Sequence, residues 1–337
     1  MYRKLERLSN TQAAIILIVV GIIVFALGLG NPFQGDDFFQ IVNNVPVHSI
    51  SNLFKFFGSS TFYNGYKLTG SYYRPLMTTV FSIVYTIFGP QPIAYHVVQL
   101  IIYLSSAVLL FLVFRQFFKP VLSLLLAALF MVHPLNSQVV YAIPSMQDAL
   151  CFFFGLLGIW FLVSRKDGHS LVYAAICLFM SFLSKESGAI FIVIMLAYLY
   201  LFDRKRVVRF SKIIVLPILV YLALKINAVG VDAKQFVAPI DNLGLGGRLM
   251  TDPSIVSFYL TKFVDPAKLA TRYYWTYSSF SVAHVLVPLI FDIIVIGLFT
   301  CLGLLVKRNL KRQLFNAYVF FAIFAVVGIL PYLQIIP

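Results

Sequence analysis

Apolar residues run along this chain in blocks of about 15 to 25, close to the length an α-helix needs to cross a hydrocarbon core roughly 30 Å thick. Backbone groups in lipid must be satisfied within the segment, so each block is expected to be a helix. The in–out alternation of membrane β-barrel strands is absent. Between the blocks lie basic clusters: Arg3, Lys4 and Arg7; Arg115 and Lys119; Arg165 and Lys166; Arg204, Lys205, Arg206, Arg209 and Lys212; and Lys307, Arg308, Lys311 and Arg312. Basic residues of short loops favour the cytoplasmic side. Placing all five clusters there predicts nine spans, roughly 12–30, 94–114, 121–139, 146–164, 170–184, 188–202, 212–229, 282–306 and 314–336.

One block does not fit that threading. Leu76 to Phe88 is apolar but short, and if it crossed, every later basic cluster would move to the outer side. It is expected to lie on the outer leaflet or dip into it. There are two long outer segments, about 31–93 and 230–281, the second punctuated by Pro239, Gly244, Gly246, Gly247, Pro253 and Pro266. Long loops in a compact membrane protein usually carry function. The first block, Ala13 to Leu29, comes after basic residues as the core of a secretory signal does. Asn31-Pro32-Phe33-Gln34 offers no small-x-small cleavage site, so it is read as a retained span.

Composition supports this picture. With 61% apolar and 11% charged residues, the chain lacks the charged shell of a soluble domain of this size. The net charge of +14 would suggest nucleic acid in a soluble protein, but the five clusters hold most of the excess, so orientation explains it and no nucleic-acid partner is expected. Cys151, Cys177 and Cys301 lie inside apolar blocks, with neither disulfide nor metal spacing.

The candidate chemistry gathers on the outer side. Asp36 and Asp37 come just after the first span; adjacent carboxylates there repel and are costly to desolvate. They suit a general base towards a hydroxyl, or a divalent cation such as magnesium or manganese. The plainer reading is an N-cap for a short helix 38–43. Arg74, in Tyr72-Tyr73-Arg74-Pro75-Leu76, suits bidentate binding of phosphate, or an interfacial anchor. Lys185 can meet an anionic headgroup with Glu186 holding it, or the two can be a snorkelling pair at a helix end. Asp148 sits near an outer helix N-terminus, a favourable place for an acid. His96 and His133 fit ligand roles or hydrogen-bonded interfacial ones. Asp292 lies inside the eighth predicted span, where an acid often marks function.

Taken in order, these pieces resemble the GT-C superfamily of membrane glycosyltransferases, and within it the transmembrane and tetratricopeptide-repeat O-mannosyltransferases. The family pattern is met by Asp36, Asp37, Ile41 and Asn44; by Tyr73, Arg74, Pro75 and Leu76; by Gly89, Tyr95 and His96; by His133-Pro134; by Asp148; by Lys185, Glu186 and Gly188; and by the run from Phe258 through Pro266 to Leu269. Two positions depart from it: Gln138 stands where the family has Glu, and Ser145-Met146 where it has Gly-Arg.

The resemblance implies an all-α, polytopic, GT-C-like bundle over 1–337; the family's C-terminal repeat domain would come after residue 337, so the chain is read either as truncated before that soluble domain or as a shorter relative. It implies transfer of a mannose-like hexose, with inversion, from a polyprenyl-phosphate sugar to a protein, lipid or glycan hydroxyl, protein Ser/Thr included. Asp36 and Asp37 are the implied catalytic pair, with Asp36 as the base. The resemblance further implies that Arg74 and Lys185 bind the donor phosphate and that Tyr73, His96, His133, Asp148 and Glu186 support them. The expected location is the plasma membrane of a prokaryote or the endoplasmic reticulum of a eukaryote, with the site on the non-cytoplasmic side. A transporter or flippase centred on Asp292, and a non-catalytic scaffold subunit, remain as alternatives.

Overall fold

The computed structural model describes residues 8–62, 72–231, 239–270, 273 and 275–333. The first basic cluster, Arg3, Lys4 and Arg7, lies outside the described residues, as do residues 334–336 of the ninth predicted span. The described residues form helices and connecting turns with no strand among them: an all-α polytopic membrane protein.

In chain order the α-helices are α1 (Asn10–Phe25), α2 (Leu53–Phe57), α3 (Pro75–Phe88), α4 (Pro92–Phe114), α5 (Pro120–Val132), α6 (Ser137–Tyr141), α7 (Met146–Ser164), α8 (Gly168–Ser184), α9 (Ile190–Phe202), α10 (Arg204–Val229), α11 (Leu245–Val264), α12 (Val287–Asn309) and α13 (Arg312–Ile329). Local chemistry sets many of their starts. Ser9 and Gln12 form a reciprocal capping box at α1. Pro75, Pro92 and Pro120 open α3, α4 and α5, where a missing N–H costs nothing. The Asp167 carboxylate accepts from the Ser170 N–H at the start of α8.

Among the described residues six helices are long and apolar enough to cross a membrane, and seven if α5 and α6, bent by 51° about the His133-Pro134 break, count as one span. Two of the nine predicted spans, at 170–184 and 188–202, are found as shorter apolar helices over Gly168–Ser184 and Glu186–Phe202. The expected interfacial segment is α3, 14 residues long. The second long loop carries more structure than its punctuation suggests: α11 runs for 20 residues with Pro253 inside it. A proline within a helix forfeits one hydrogen bond without ending it when packing holds both halves.

The chain divides into two compact units, Met1–Leu199 with Lys205–Gln235, and Tyr200–Arg204 with Phe236–Pro337. The first holds two apolar clusters. One joins α1, α4 and α5 through Leu17, Phe25, Tyr103, Leu104, Phe111 and Met131. The other gathers Ile41 and Val47 from the first loop, Met77 and Phe81 from α3, Tyr95 from α4, and Met146 and Leu150 from α7. In this unit α7 packs along both α8 and α4. In the second unit α11 packs against α12, and α12 against α13.

Candidate active site

The second apolar cluster matters for function because several of its segments also carry a candidate polar residue. Phe33 and Ile41 flank the acid pair, Leu76 and Met77 come just after Arg74, and Met146 and Leu150 flank Asp148. Burying these apolar neighbours together ties three distant stretches of chain to one floor.

The acid pair sits on a tight turn. Gly35 adopts φ +50°, a left-handed conformation that glycine reaches without a Cβ penalty. The turn closes reciprocally: the Asp37 N–H donates to the Gln34 carbonyl at 3.0 Å, and the Gln34 N–H donates to Asp37 Oδ2 at 2.8 Å. Asp37 is therefore turned back towards Gln34 and does not cap the next helical turn. The expected helix 38–43 is a π-helical turn, Phe38–Val42, without a side-chain cap. The two carboxylates have opposite surroundings. Asp36 is exposed, whereas Asp37 is 3% exposed and its Oδ1 has no hydrogen-bond partner among the described residues. Burial pushes the Asp37 carboxyl up to about 6; the Gln34 hydrogen bond opposes this and the Asp36 charge adds to it.

Two ion pairs join the remaining charged candidates. Arg74 Nε and Nη2 both reach Glu186 Oε2 at 3.3 Å, and the guanidinium lies 4.1 Å above the Tyr72 ring centre. Lys185 Nζ donates to Asp148 Oδ1 at 2.5 Å. The sequence suggested that Glu186 holds Lys185. Instead Glu186 reaches Arg74, and Asp148 holds Lys185. The reason is local: Lys185 is extended, at φ −160° and ψ 145°, and neighbouring side chains on extended backbone point to opposite sides. One dipeptide thus ties the end of α8 to the start of α7 on one side and to the approach to α3 on the other.

The supporting candidates divide by role. Tyr73 is fully buried, and its hydroxyl donates to the Phe57 carbonyl at 2.9 Å, tying α2 to the segment before α3. The Arg74 N–H donates to Thr61 Oγ1 at 3.1 Å, so the backbone of this stretch is fixed as well. His96 is buried on α4 beside the backbone of Asn31 and Val140. His133 Nδ1 accepts from the Leu135 N–H and so caps the Pro134–Asn136 turn, a structural use. For a metal the donor set is thin. Among the described residues no group of three or more His, Cys, Asp or Glu side chains gathers, and the pair itself is split between an exposed and a buried carboxylate.

One residue was not read from the sequence. Tyr221, in the body of α10, stacks on Phe182 with ring centres 5.1 Å apart and lies 6.0 Å from the Tyr73 ring. A tyrosine inside an apolar block gives no sequence signal of its own.

A helical membrane bundle with paired acids and bases at the junctions of α3, α7 and α8 is the class defined here, and the comparisons narrow it. Residues 74–229 match the family model described as dolichyl-phosphate-mannose-protein mannosyltransferase. The chain is 27% identical over 245 residues to a protein O-mannosyl-transferase of Caenorhabditis elegans, covering 70% of this chain and 34% of that protein. It is 30% identical over 206 residues to the protein O-mannosyl-transferase TMTC4 of Homo sapiens, covering 52% of this chain and 27% of that protein. No solved structure matches. The chain thus resembles membrane O-mannosyltransferases, as its motifs suggested, and spans about a third or less of the length of these curated relatives. The family match takes in Arg74, Asp148, Lys185, Glu186 and Tyr221; Asp36 and Asp37 precede it.

Proposed function

We propose that this chain is the membrane-embedded transferase portion of a protein O-mannosyltransferase. It takes mannose from a polyprenyl-phosphate donor in the non-cytoplasmic leaflet and passes it to a serine or threonine hydroxyl. The observation that carries the reading is the pair of crossed ion pairs, Arg74–Glu186 and Lys185–Asp148, together with the apolar cluster shared by chain neighbours of Arg74, of Asp148 and of the Asp36–Asp37 turn.

In this reading the acceptor oxygen attacks the anomeric carbon as the carbon–oxygen bond to phosphate breaks, so the sugar inverts. The hydroxyl proton passes to Asp36, the exposed carboxylate. Asp37 holds the turn that presents it. The bonding electrons leave with the lipid phosphate, whose growing negative charge Arg74 and Lys185 stabilise. Glu186 and Asp148 hold the two cations in place before the donor arrives, so little reorganisation is needed when it does.

The test uses the purified chain in lipid nanodiscs, a polyprenyl-phosphate mannose and a Ser/Thr-containing peptide. Mannosyl peptide with the opposite anomeric configuration is the expected product, and Asp36→Asn is expected to lower the rate about 10²- to 10⁴-fold, the usual contribution of a general base. An Asp36→Asn variant as fast as the parent would remove Asp36 from the base role, and absence of transfer by the parent with this donor would refute the reading.

A further inference from the structure

Tyr221 is 6% exposed and its phenolic oxygen is buried with no hydrogen-bond partner among the described residues, in a protein interior where such groups are nearly always satisfied. Its place is specific. Its ring stacks on Phe182, three residues before Lys185, and lies beside Tyr73, the residue before Arg74. Near neighbours of both candidate phosphate-binding cations therefore hold this one ring. Aromatic packing on two sides fixes the ring, and so fixes where its hydroxyl points.

The charge balance nearby defines what such a hydroxyl is for. Arg74 and Lys185 carry two positive charges, and Glu186 and Asp148 answer them with two negative ones. A phosphate entering this neutral group meets two carboxylates as well as two cations. A neutral donor adds a hydrogen bond to the phosphate without adding a charge that needs a further counterion. Among the described residues Arg74 Nη1 makes no hydrogen bond, so it too has a donor to offer.

We infer that Tyr221 is a donor-binding residue, its phenolic O–H donating to an anionic oxygen of the lipid-linked phosphate between Arg74 and Lys185. This rests on the proposed function for the identity of the ligand and adds to it a residue on α10 that neither ion pair contains. It also implies that α10 belongs to the donor site and is more than a neighbouring span.

The experiment separates this inference from mannosyl transfer. Tyr221→Phe keeps the ring and its stacking and removes an O–H that is bonded to nothing among the described residues, so the fold is retained. Binding of a polyprenyl phosphate carrying no sugar is measured for the full chain in nanodiscs, alongside KM and kcat with the mannosyl donor. Tyr221→Phe is expected to weaken polyprenyl-phosphate binding about tenfold or more, the usual effect of losing a hydrogen bond to a charged group, and to raise the donor KM in proportion with thermal unfolding unchanged. Affinity within about twofold of the parent overturns the inference, as does a parent that binds no polyprenyl phosphate. A parent that binds the lipid phosphate through Tyr221 yet transfers no mannose upholds it while the proposed reaction fails.

Discussion

Arg74 and Glu186 are 112 residues apart in sequence and meet through one carboxylate oxygen, with Nε and Nη2 both 3.3 Å from Oε2. The Arg74 side chain is 9% exposed and that of Glu186 30%, so the pair is shielded unequally. This contact fastens the approach to α3 onto the turn after α8, and Lys185–Asp148 fastens the same turn to the start of α7.

Cutting the first contact has a signed outcome. Arg74→Ala leaves the Glu186 carboxylate without its partner in a half-buried place and should lower stability by about 1–3 kcal/mol. Arg74→Ala with Glu186→Gln should recover part of that loss, because the second change removes the stranded charge. Thermal unfolding of the four proteins in a double-mutant cycle measures this coupling. A coupling near zero would mean the pair forms no bridge in the membrane-embedded protein.

Asp37 gives a pH dependence. Its folded-state pKa, about 6, lies above the ordinary 3.8, so the folded protein holds this proton more tightly than the unfolded chain. Stability arising from Asp37 is then present at low pH and lost as pH rises from about 4 through about 6. Asp37→Asn should flatten that decline and be no less stable than the parent at about pH 7, since its amide oxygen can still accept from the Gln34 N–H. A melting-temperature series between about pH 4 and 8 tests this. A variant with restored stability but lost transfer would identify Asp37 as a residue kept for function at a cost in stability.

Much of the fold is legible in the sequence, for physical reasons. Lipid imposes long apolar helices, so α1, α4, α7, α10, α12 and α13 stand out as blocks. The spans at 170–184 and 188–202 are legible as apolar, but the stretches found there, Gly168–Ser184 and Glu186–Phe202, are shorter than the six continuous helical runs long enough to cross, the first of which extends from Asn10 to Gly30. The Arg74, Asp148, Lys185 and Glu186 cluster is legible as a set, because charge is scarce in such a chain. Its pairing is not: Lys185 and Glu186 are adjacent in sequence, yet extended backbone sends them to different partners. Tyr221 is invisible because its significance lies in the rings of Phe182 and Tyr73, which only folding brings to it.

Gly188 tests how tightly the turn after α8 is built. A Cβ there would lie 2.8 Å from Ser181 Oγ, 2.9 Å from the Ser181 carbonyl carbon and 3.0 Å from the Phe182 nitrogen. Two of these atoms belong to the α8 backbone and have little room to yield. Gly188→Ala should therefore cost about 1–3 kcal/mol, as overpacking does, and should displace Lys185 and Glu186 from their partners. The expected signature is a lower melting temperature together with a raised donor KM. Unchanged values for both would show that the turn has slack the geometry does not suggest.

Asp292 separates the transferase reading from the transporter alternative. It lies on α12, is 5% exposed, and accepts a hydrogen bond from Ser257 Oγ of α11 at 2.8 Å; the same hydroxyl lies 3.1 Å from the Pro288 carbonyl. A buried acid held by a neighbouring hydroxyl has a structural use, namely fixing α11 against α12. Asp292→Asn can still accept from Ser257 and should leave mannosyl transfer within about threefold of the parent, whereas Asp292→Leu leaves the hydroxyl only the Pro288 carbonyl and should lower stability by the worth of one hydrogen bond, about 0.5–1.5 kcal/mol, read as a lower melting temperature. A transporter coupled to protonation of this carboxylate would behave otherwise, since Asn cannot titrate and Asp292→Asn would abolish uptake in proteoliposomes. Measuring transfer and uptake on the parent and on Asp292→Asn decides between the two, because the transferase reading requires transfer to survive the substitution and the transporter reading requires uptake to be lost with it.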